Sequence, residues 1–389
     1  MMKKCLLPKI RFPEFVKDGE WQKCVLNDIV IVHNGRDYKH LKAGTVPVYG
    51  TGGYMLSVDE ALSNEDAVGI GRKGTIDKPQ FLKAPFWTVD TLFFLTTKKQ
   101  CDLQFFYQLA KIIDWKKYSV SAVLPTLTKK DIEQIEVCVP KILEEQKKIA
   151  DLLSSVDAKV YATQEKLEEL REQKIGMLQK LFPRNGKNIP DYRFSEFKND
   201  GEWQNGCLGD FASFFKGKGI SKSEISDDGN IPCIRYGELY TRYHEMVKDV
   251  KSHTVLSPEN LFFSQKNDVI IPATGETAED ISTASYLPQD GIALGGDINV
   301  VRSNCDGLFL AYYLSHIKKN DIAKIAHGFA IVHLHAEKLS KLKVQIPSLP
   351  EQKKIAQAIL SVDELISLCM EKKDQLIQYK KGLVQRLFA

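Results

Sequence analysis

At 389 residues the chain has room for two or three domains, and 43% hydrophobic with 27% charged residues is the make-up of an ordinary folded protein. A net charge of +4 excludes a histone-like polycation but allows basic surfaces offset by acidic helices. The opening Met1-Met2-Lys3-Lys4 reaches Pro8 too soon for a signal peptide, and no run approaches the roughly 20 apolar residues of a membrane span, so a cytoplasmic setting is expected.

The eight cysteines, Cys5, Cys24, Cys101, Cys138, Cys207, Cys233, Cys305 and Cys369, include no CxxC pair. They are expected to be reduced thiols and not zinc ligands or disulfides.

The first element is a short entry block, Pro8, Arg11-Phe12, Glu14-Phe15 and Gly19-Glu20-Trp21-Gln22, and it returns 182 residues later as Pro190, Arg193-Phe194, Glu196-Phe197 and Gly201-Glu202-Trp203-Gln204. A second block, Glu145-Gln146-Lys147-Lys148-Ile149-Ala150 with Ser155-Val156-Asp157 and Leu181-Phe182, returns 206 residues later at Glu351 to Ala356, Ser361-Val362-Asp363 and Leu387-Phe388. Long repeat units signal repeated architecture. The inserts between the blocks, Val25 to Cys138 and Cys207 to Gln345, look unrelated in sequence, and the offset between the blocks grows by 24 residues across the second. Identical frames around divergent inserts suggest one scaffold presenting two specificities.

Insert one shows strand patterns at 25–32, 46–49, 67–70, 91–96 and 135–139, a helical pattern at 103–113, and glycine-rich turns at Gly50, Gly52-Gly53 and Gly74. The segment Gly69, Gly71, Arg72-Lys73, Gly74 formally fits GxGxxG, but Thr75-Ile76-Asp77-Lys78-Pro79 after it does not read as a helix, so dinucleotide binding is not expected. What remains is an Arg-Lys pair between glycines, where Arg72 suits a base edge and Lys73 or Lys78 a phosphate; a plain solvated turn is the alternative. Tyr49, Thr51 and Tyr54 in the preceding glycine loop offer hydroxyls or stacking, whereas Phe86-Trp87 reads as core.

After Pro140, Ile149, Leu153, Val156, Val160, Thr163, Leu167, Leu170, Lys174, Met177 and Leu181 keep a strict 4-3 spacing, which is a heptad seam. After Pro347 and Pro350 the same register recurs at Ile355, Ile359, Val362, Ile366, Cys369, Lys373, Leu376, Lys380, Leu383 and Leu387. Two helices of about 38 residues, roughly 55 Å long, are expected to pair antiparallel; separate packing on each domain is the other option. Glu165, Lys166, Glu168, Glu169 and Glu172 read as a solvated face.

Insert two has strand patterns at 269–271, 298–301 and 342–346 and a helix at 308–316. Arg235-Tyr236-Gly237 and Tyr240-Thr241-Arg242-Tyr243 interleave cations with aromatics, a combination suited to nucleic-acid contact. Thr274 and Glu276 follow a strand, and a glutamate there suits a cytosine amino group. Asp297 and Asn299 at Gly295-Gly296, and His327 at Gly328, complete the candidate set, with ordinary turn formation as the alternative. His333 and His335 lack a third ligand, so no metal site is assigned.

The sequence carries no Walker A loop, no nucleophile elbow and no Asn/Asp-Pro-Pro-aromatic tetrad of amino-methyltransferases. Glu145-Gln146-Lys147 mimics a nuclease E-x-K, but on a predicted helix without a partner acid. No catalytic residue is assigned.

These blocks together resemble the specificity subunit (HsdS) of type I restriction-modification systems: the Arg-Phe-x-Glu-Phe entry at Arg11 and Arg193, the exit Leu127-Thr128…Ile132…Ile135, the helices opening at Glu145 and Glu351, and Ile70-Gly71-Arg72-Lys73-Gly74-Thr75 ahead of Phe86-Trp87…Asp90-Thr91. The resemblance implies an α/β (α+β) fold. Target-recognition domains at 1–140 and 184–346 would be joined by spacer helices at 141–183 and 347–389 that form an antiparallel coiled coil. It also implies a noncatalytic subunit whose domains each read half of a bipartite double-stranded DNA target, with no membrane role. Two modification subunits (HsdM) would methylate adenine N6 and restriction subunits (HsdR) would cleave, so S-adenosylmethionine, ATP and magnesium belong to the partners. A scaffold without DNA readout, a silent recombining cassette and an autonomous DNA-modifying enzyme stay open at this point.

Overall fold

The structure is a computed structural model and describes residues 8–121, 123–184, 187–328 and 331–388. Both long helices form, as Leu143–Leu181 and Leu349–Leu387, 39 residues each. Pro350 sits in the first turn of the second, where the missing N–H has no intrahelical acceptor to lose.

The chain folds as two units, unit 1 from Met1–Glu165 with Glu371–Ala389 and unit 2 from Lys166–Met370. Each unit therefore holds a portion of both helices. In unit 1 these portions run antiparallel: Lys380 Nζ donates to Asp157 Oδ1 at 2.5 Å and Lys373 Nζ to Gln164 Oε1 at 3.1 Å. In unit 2, Lys174 Nζ lies 2.8 Å from Asp363, the repeat image of the Lys380–Asp157 pair. The lysines that interrupt the heptad seam are thus its registering contacts. Around them Ile149, Leu153, Val156, Leu167, Leu170, Ile355, Ile359 and Val362 are buried, while Val160, Ile366, Leu376 and Leu383 are half-buried.

In unit 1 the strands are β1 (Gln22–Val25), β2 (Val30–His33), β3 (Ala43–Gly50), β4 (Gly53–Val58), β5 (Ala67–Gly71), β6 (Gln80–Leu82), β7 (Trp87–Thr88), β8 (Leu92–Thr97) and β9 (Glu136–Val139). They pair as β1-β9, as an antiparallel sheet β2-β8-β5-β6, and as β4-β3-β7 with β7 parallel to β3. The strands of unit 2 are β10 (Gln204–Cys207), β11 (Ala212–Lys216), β12 (Ile231–Ile234), β13 (Ser252–Thr254), β14 (Val269–Pro272), β15 (Thr274–Gly275), β16 (Ser285–Tyr286), β17 (Ala293–Leu294), β18 (Ile298–Ser303), β19 (Val332–His333) and β20 (Lys343–Ile346). They pair as β10-β20, as the antiparallel sheet β11-β18-β14-β16, as β13-β12-β17 with β17 parallel to β12, and as β15-β19. The inserts, unrelated in sequence, therefore share one topology, a kinship their residues do not display.

A glycine marks that kinship. Gly35 and Gly217 lie 182 residues apart, and a Cβ on either would sit 1.9 Å from the Val89 carbonyl oxygen or 2.0 Å from that of Gly295. Only glycine lets the chain pass so close to the loop ahead of β8 or β18.

Each core is closed by a long-helix terminus. In unit 1 Trp21, Phe105 and Phe388 form an aromatic cluster with centroids 5.7–6.4 Å apart, and in unit 2 Trp203, Phe309 and Phe182 do so at 5.5–6.1 Å. Edge-to-face and offset rings add to the burial of their large apolar area. Phe86 and Trp87 are core residues.

Two expectations are corrected. The pattern over 25–32 is not one strand, because a helical turn, Leu26–Ile29, separates β1 from β2 and buries Leu26 and Ile29. Cys24, Cys101, Cys207, Cys233, Cys305 and Cys369 are free thiols, but Cys138 is disulfide-bonded, against the expectation of reduced thiols; Cys5 lies outside the described residues. No helix is long and apolar enough to cross a membrane among the described residues.

Candidate nucleic-acid interface

A buried ion pair, made twice, joins each domain to a long helix. Arg11 Nε and Nη2 donate to the two oxygens of Glu145 at 2.8 Å each, and Arg193 does the same to Glu351 at 2.8 and 2.7 Å. Gln146 accepts from the Asp102 N–H at 2.8 Å and donates to Pro140 O at 2.8 Å; Gln352 accepts from Asp306 N–H at 2.8 Å and donates to Pro347 O at 2.9 Å. Glu145, the residue that mimics a nuclease acid, is consumed in this joint. Its role is to lock a helix to a domain through a planar, two-point contact.

In unit 1 the turn between β3 and β4 carries Thr51; exposed Tyr54 stands at the start of β4 and half-buried Tyr49 near the end of β3, the two tyrosine rings 6.4 Å apart. Gln80 Nε2 ties this turn down through Gly50 O at 2.9 Å and Thr51 O at 3.2 Å. Arg72, Lys73, half-buried Thr75 and Lys78 follow β5. The backbone is held on both sides, since Arg72 N–H donates to Thr91 O at 2.7 Å and Arg72 O accepts from Leu127 N–H at 2.9 Å. Val89 N–H in turn donates to Tyr49 O at 3.0 Å, so residues 89–91 bring the two candidate loops together. Arg72, Lys73 and Lys78 are exposed and make no ion pair among the described residues, and the Arg72 guanidinium lies 5.8 Å from the Phe93 ring centre. Neighbouring Asp77 is engaged by Lys116 at 2.6 Å, whose hydrogen bond holds its carboxyl below the ordinary value.

Unit 2 repeats these anchors. Gly295 N–H donates to Ile234 O at 2.9 Å, Ala273 N–H to Asp297 O at 2.8 Å and Leu334 N–H to Ala273 O at 2.9 Å. They match the bonds of Val89, Arg72 and Leu127 one for one. By this equivalence Tyr236 stands where unit 1 has Thr51, Thr274 where it has Lys73, and Glu276 where it has Thr75. Three of the candidates chosen by loop chemistry in each unit therefore fall at equivalent positions.

Arg235, Tyr236 and Asp297 line one cavity of about 490 Å³ with Gly295 and Gly296. Tyr240, Thr241 and Arg242 line another, of about 280 Å³, with Glu245 and His316. Arg242 pairs with buried Glu238 at 3.3 Å, and Thr241 Oγ1 donates to Gly237 O at 2.8 Å. Thr274 Oγ1 is 3.4 Å from His333 Nδ1, and exposed His327 exchanges backbone bonds with His333.

Asn299 is a correction. It is buried on β18 and its Nδ2 donates to Leu334 O at 2.8 Å, so the amide is spent inside the fold. His333 lies on β19, and His335 immediately precedes the helix Ala336–Ser340. Among the described residues no group of three or more His, Cys, Asp or Glu is placed to hold a metal.

Sequence reasoning missed Val120, Val123 and Leu124, which are 61%, 97% and 51% exposed and next to the Arg72 loop through the Lys73–Thr126 bridge. Their signal is an apolar run in a segment with neither helix nor strand period.

The chain matches the type I restriction modification DNA specificity domain at residues 18–172 and again at 200–378. The MjaVIII specificity subunit of a type I restriction enzyme from Methanocaldococcus jannaschii is 25% identical over 84% of this chain and 76% of its own length. A second protein of that organism, described as the MjaX specificity subunit, is 26% identical over 67% of this chain, which spans 60% of that relative. The crystal structure of a type I restriction-modification S subunit from M. genitalium superposes with a TM-score of 0.68 at 15% identity, covering 99% of both chains. With one matched segment around each insert, the chain belongs to the family of type I restriction-modification DNA specificity domains.

Proposed function

We propose that this chain is the noncatalytic DNA-reading subunit of a type I restriction-modification complex. Residues 1–140 and 184–346 act as target-recognition domains and 141–183 and 347–389 as spacer helices. Each domain reads one half of a bipartite duplex target, and the paired helices set the unspecified gap. Modification subunits carrying S-adenosylmethionine methylate adenine N6 at the site so chosen, and restriction subunits supply ATP-driven cleavage.

The observation that carries this reading is the equivalence of the loops. The same backbone anchors present Thr51, Lys73 and Thr75 in one unit and Tyr236, Thr274 and Glu276 in the other. A constant frame with variable donors, acceptors and rings is what reading two unlike sequences requires, because base edges are distinguished by hydrogen-bond pattern. Val123 and Leu124 beside the Arg72 loop suit contact with thymine methyl groups. For the partner subunits, the second helix offers exposed Leu365, Leu368 and Met370 in unit 2 and Ile377 and Tyr379 in unit 1.

The test is to co-express the chain with its modification subunit and map N6-methyladenine across host DNA by long-read sequencing. A two-part motif with a fixed gap is the expected result. A stable complex that leaves DNA unmethylated refutes the reading.

A further inference from the structure

Arg235 is the candidate side chain whose own chemistry is left most incomplete by the fold. Its backbone is fixed, the N–H donating to Glu238 Oε2 at 2.9 Å, yet its side-chain Nε is buried without a partner. Its guanidinium makes no ion pair among the described residues. A buried donor left unpaired costs stability, so the side chain gains by turning into the cavity to meet an acceptor there. The side chain lines the cavity of about 490 Å³ whose other walls include Lys222, Glu224, Tyr236 and Asp297.

The ligand chemistry follows from those walls. Two cations and two carboxylates make the cavity nearly neutral, which disfavours a phosphate and favours an uncharged base edge bearing both acceptors and a donor. Glycines at 219, 295 and 296 keep the rim low, so a base edge can approach the backbone. An arginine fork matches guanine O6 and N7, and a carboxylate accepts from the cytosine N4 amino group.

We propose that Arg235 reads a guanine in the half-site bound by unit 2, with Asp297 accepting from the amino group of the paired cytosine. This assignment rests on the DNA-reading role proposed above and names the base pair within it. It is confined to one half-site. At the equivalent place, the last residue of β3, unit 1 has Gly50, where an added Cβ would lie 2.7 Å from Met55 Sδ, so no side chain reads from that position.

The experiment uses the complex with its modification subunit and compares the methylated motif of the wild type with those of Arg235→Ala and Arg235→Lys. Both variants are expected to lose discrimination at a single G·C position of one half-site, on the order of ten- to a hundredfold, while the other half-site is read unchanged and reports a folded chain. Lysine keeps the charge but not the fork, so it serves even if the alanine variant does not fold. Duplexes carrying 7-deazaguanine at that position remove the N7 acceptor; they are expected to bind the wild type more weakly and the variants no more weakly than guanine does. An unchanged motif in both variants overturns the assignment alone. Equal weakening on every sequence, with a salt slope lower by about one, makes Arg235 a phosphate contact and also overturns it. A wild-type complex that methylates no bipartite motif removes the reading role and this assignment with it.

Discussion

Unit 1 and unit 2 agree most closely where charge is buried and least where side chains meet solvent. Arg11–Glu145 and Arg193–Glu351 have the same two-point geometry, and Lys380–Asp157 and Lys174–Asp363 are images of each other. The loops that follow the sheets keep only their backbone anchors. A buried ion pair tolerates no substitution of one partner, since the other is then left charged and dry. A loop held by backbone bonds accepts almost any side chain, and that freedom is what a family of sequence readers needs.

The largest expected effect breaks the frame. Arg193→Ala should cost about 3–5 kcal/mol of unit 2 stability, the range for removing one partner of a buried pair. The comparison sharpens here, because the two joints differ in two bonds. Arg193 Nη1 donates to Asp200 O at 2.6 Å and Gly201 O at 2.8 Å, where Arg11 Nη1 has Gly19 O alone at 2.6 Å. Trp21 Nε1 donates to Glu145 at 3.2 Å, whereas Trp203 Nε1 is buried without a partner and leaves Glu351 to its arginine. Arg11→Ala should therefore destabilise unit 1 less than Arg193→Ala destabilises unit 2. Peptide-resolved hydrogen exchange measures both, and equal losses would show that neither the tryptophan bond nor the second carbonyl contact of Arg193 contributes.

The next effect separates the units by pH. In unit 2 burial alone would raise the Glu245 carboxyl, but a hydrogen bond from His316 and the charge of Lys174 at 3.3 Å hold it at about 2, against an ordinary 4.5. The folded value lies below the unfolded one, so this stabilisation is complete above about pH 4.5 and disappears as pH falls toward 2. Its size is on the order of 3 kcal/mol. Glu245→Gln should flatten the acid dependence of unit 2 between those limits and leave unit 1 untouched. Acid titration followed by hydrogen exchange in each unit checks it, and an unaltered profile would deny Glu245 this role.

Much of this frame is visible in the sequence, since buried pairs and heptad seams are chemically narrow. Ile149 through Leu170 gave the seam, and the Arg11 and Glu145 blocks showed the repeat although not that the two residues touch. The common topology of the inserts was hidden, because a strand needs only alternating burial, and Val68, Ile70, Ile270 and Val300 can be exchanged among apolar types without trace. Asn299 misled for a related reason. An asparagine two residues after Asp297 looks like loop chemistry, and only the three-dimensional approach of Leu334 O reveals that its amide is used internally. Within the candidate site, residue type marked the loops but not the anchors that make Lys73 and Thr274 equivalent, since those are backbone bonds and leave no signature in side chains.

A third prediction tests the loops themselves. Arg72→Ala should cost about 1–3 kcal/mol of discrimination at one half-site if the guanidinium reads a base. Methylation mapping would show one degenerate position, and a uniform loss on all DNA would instead place Arg72 on a phosphate.

The smallest effect draws the line between frame and loop inside a single segment. Asp297 is exposed before β18, while Asn299 on that strand is buried and donates to Leu334 O. Asn299→Ala removes that bond and leaves the carbonyl oxygen with one donor fewer, which costs about 1 kcal/mol of unit 2 stability. Because the amide never reaches the surface, the methylated motif should be unchanged at every position. Asp297→Ala should do the opposite, altering the motif with no measurable change in melting. A motif change in the Asn299 variant would mean that β18 transmits its packing to the loop, and the division between a fixed frame and a free reading surface would then fall closer to the DNA than the hydrogen bonds place it.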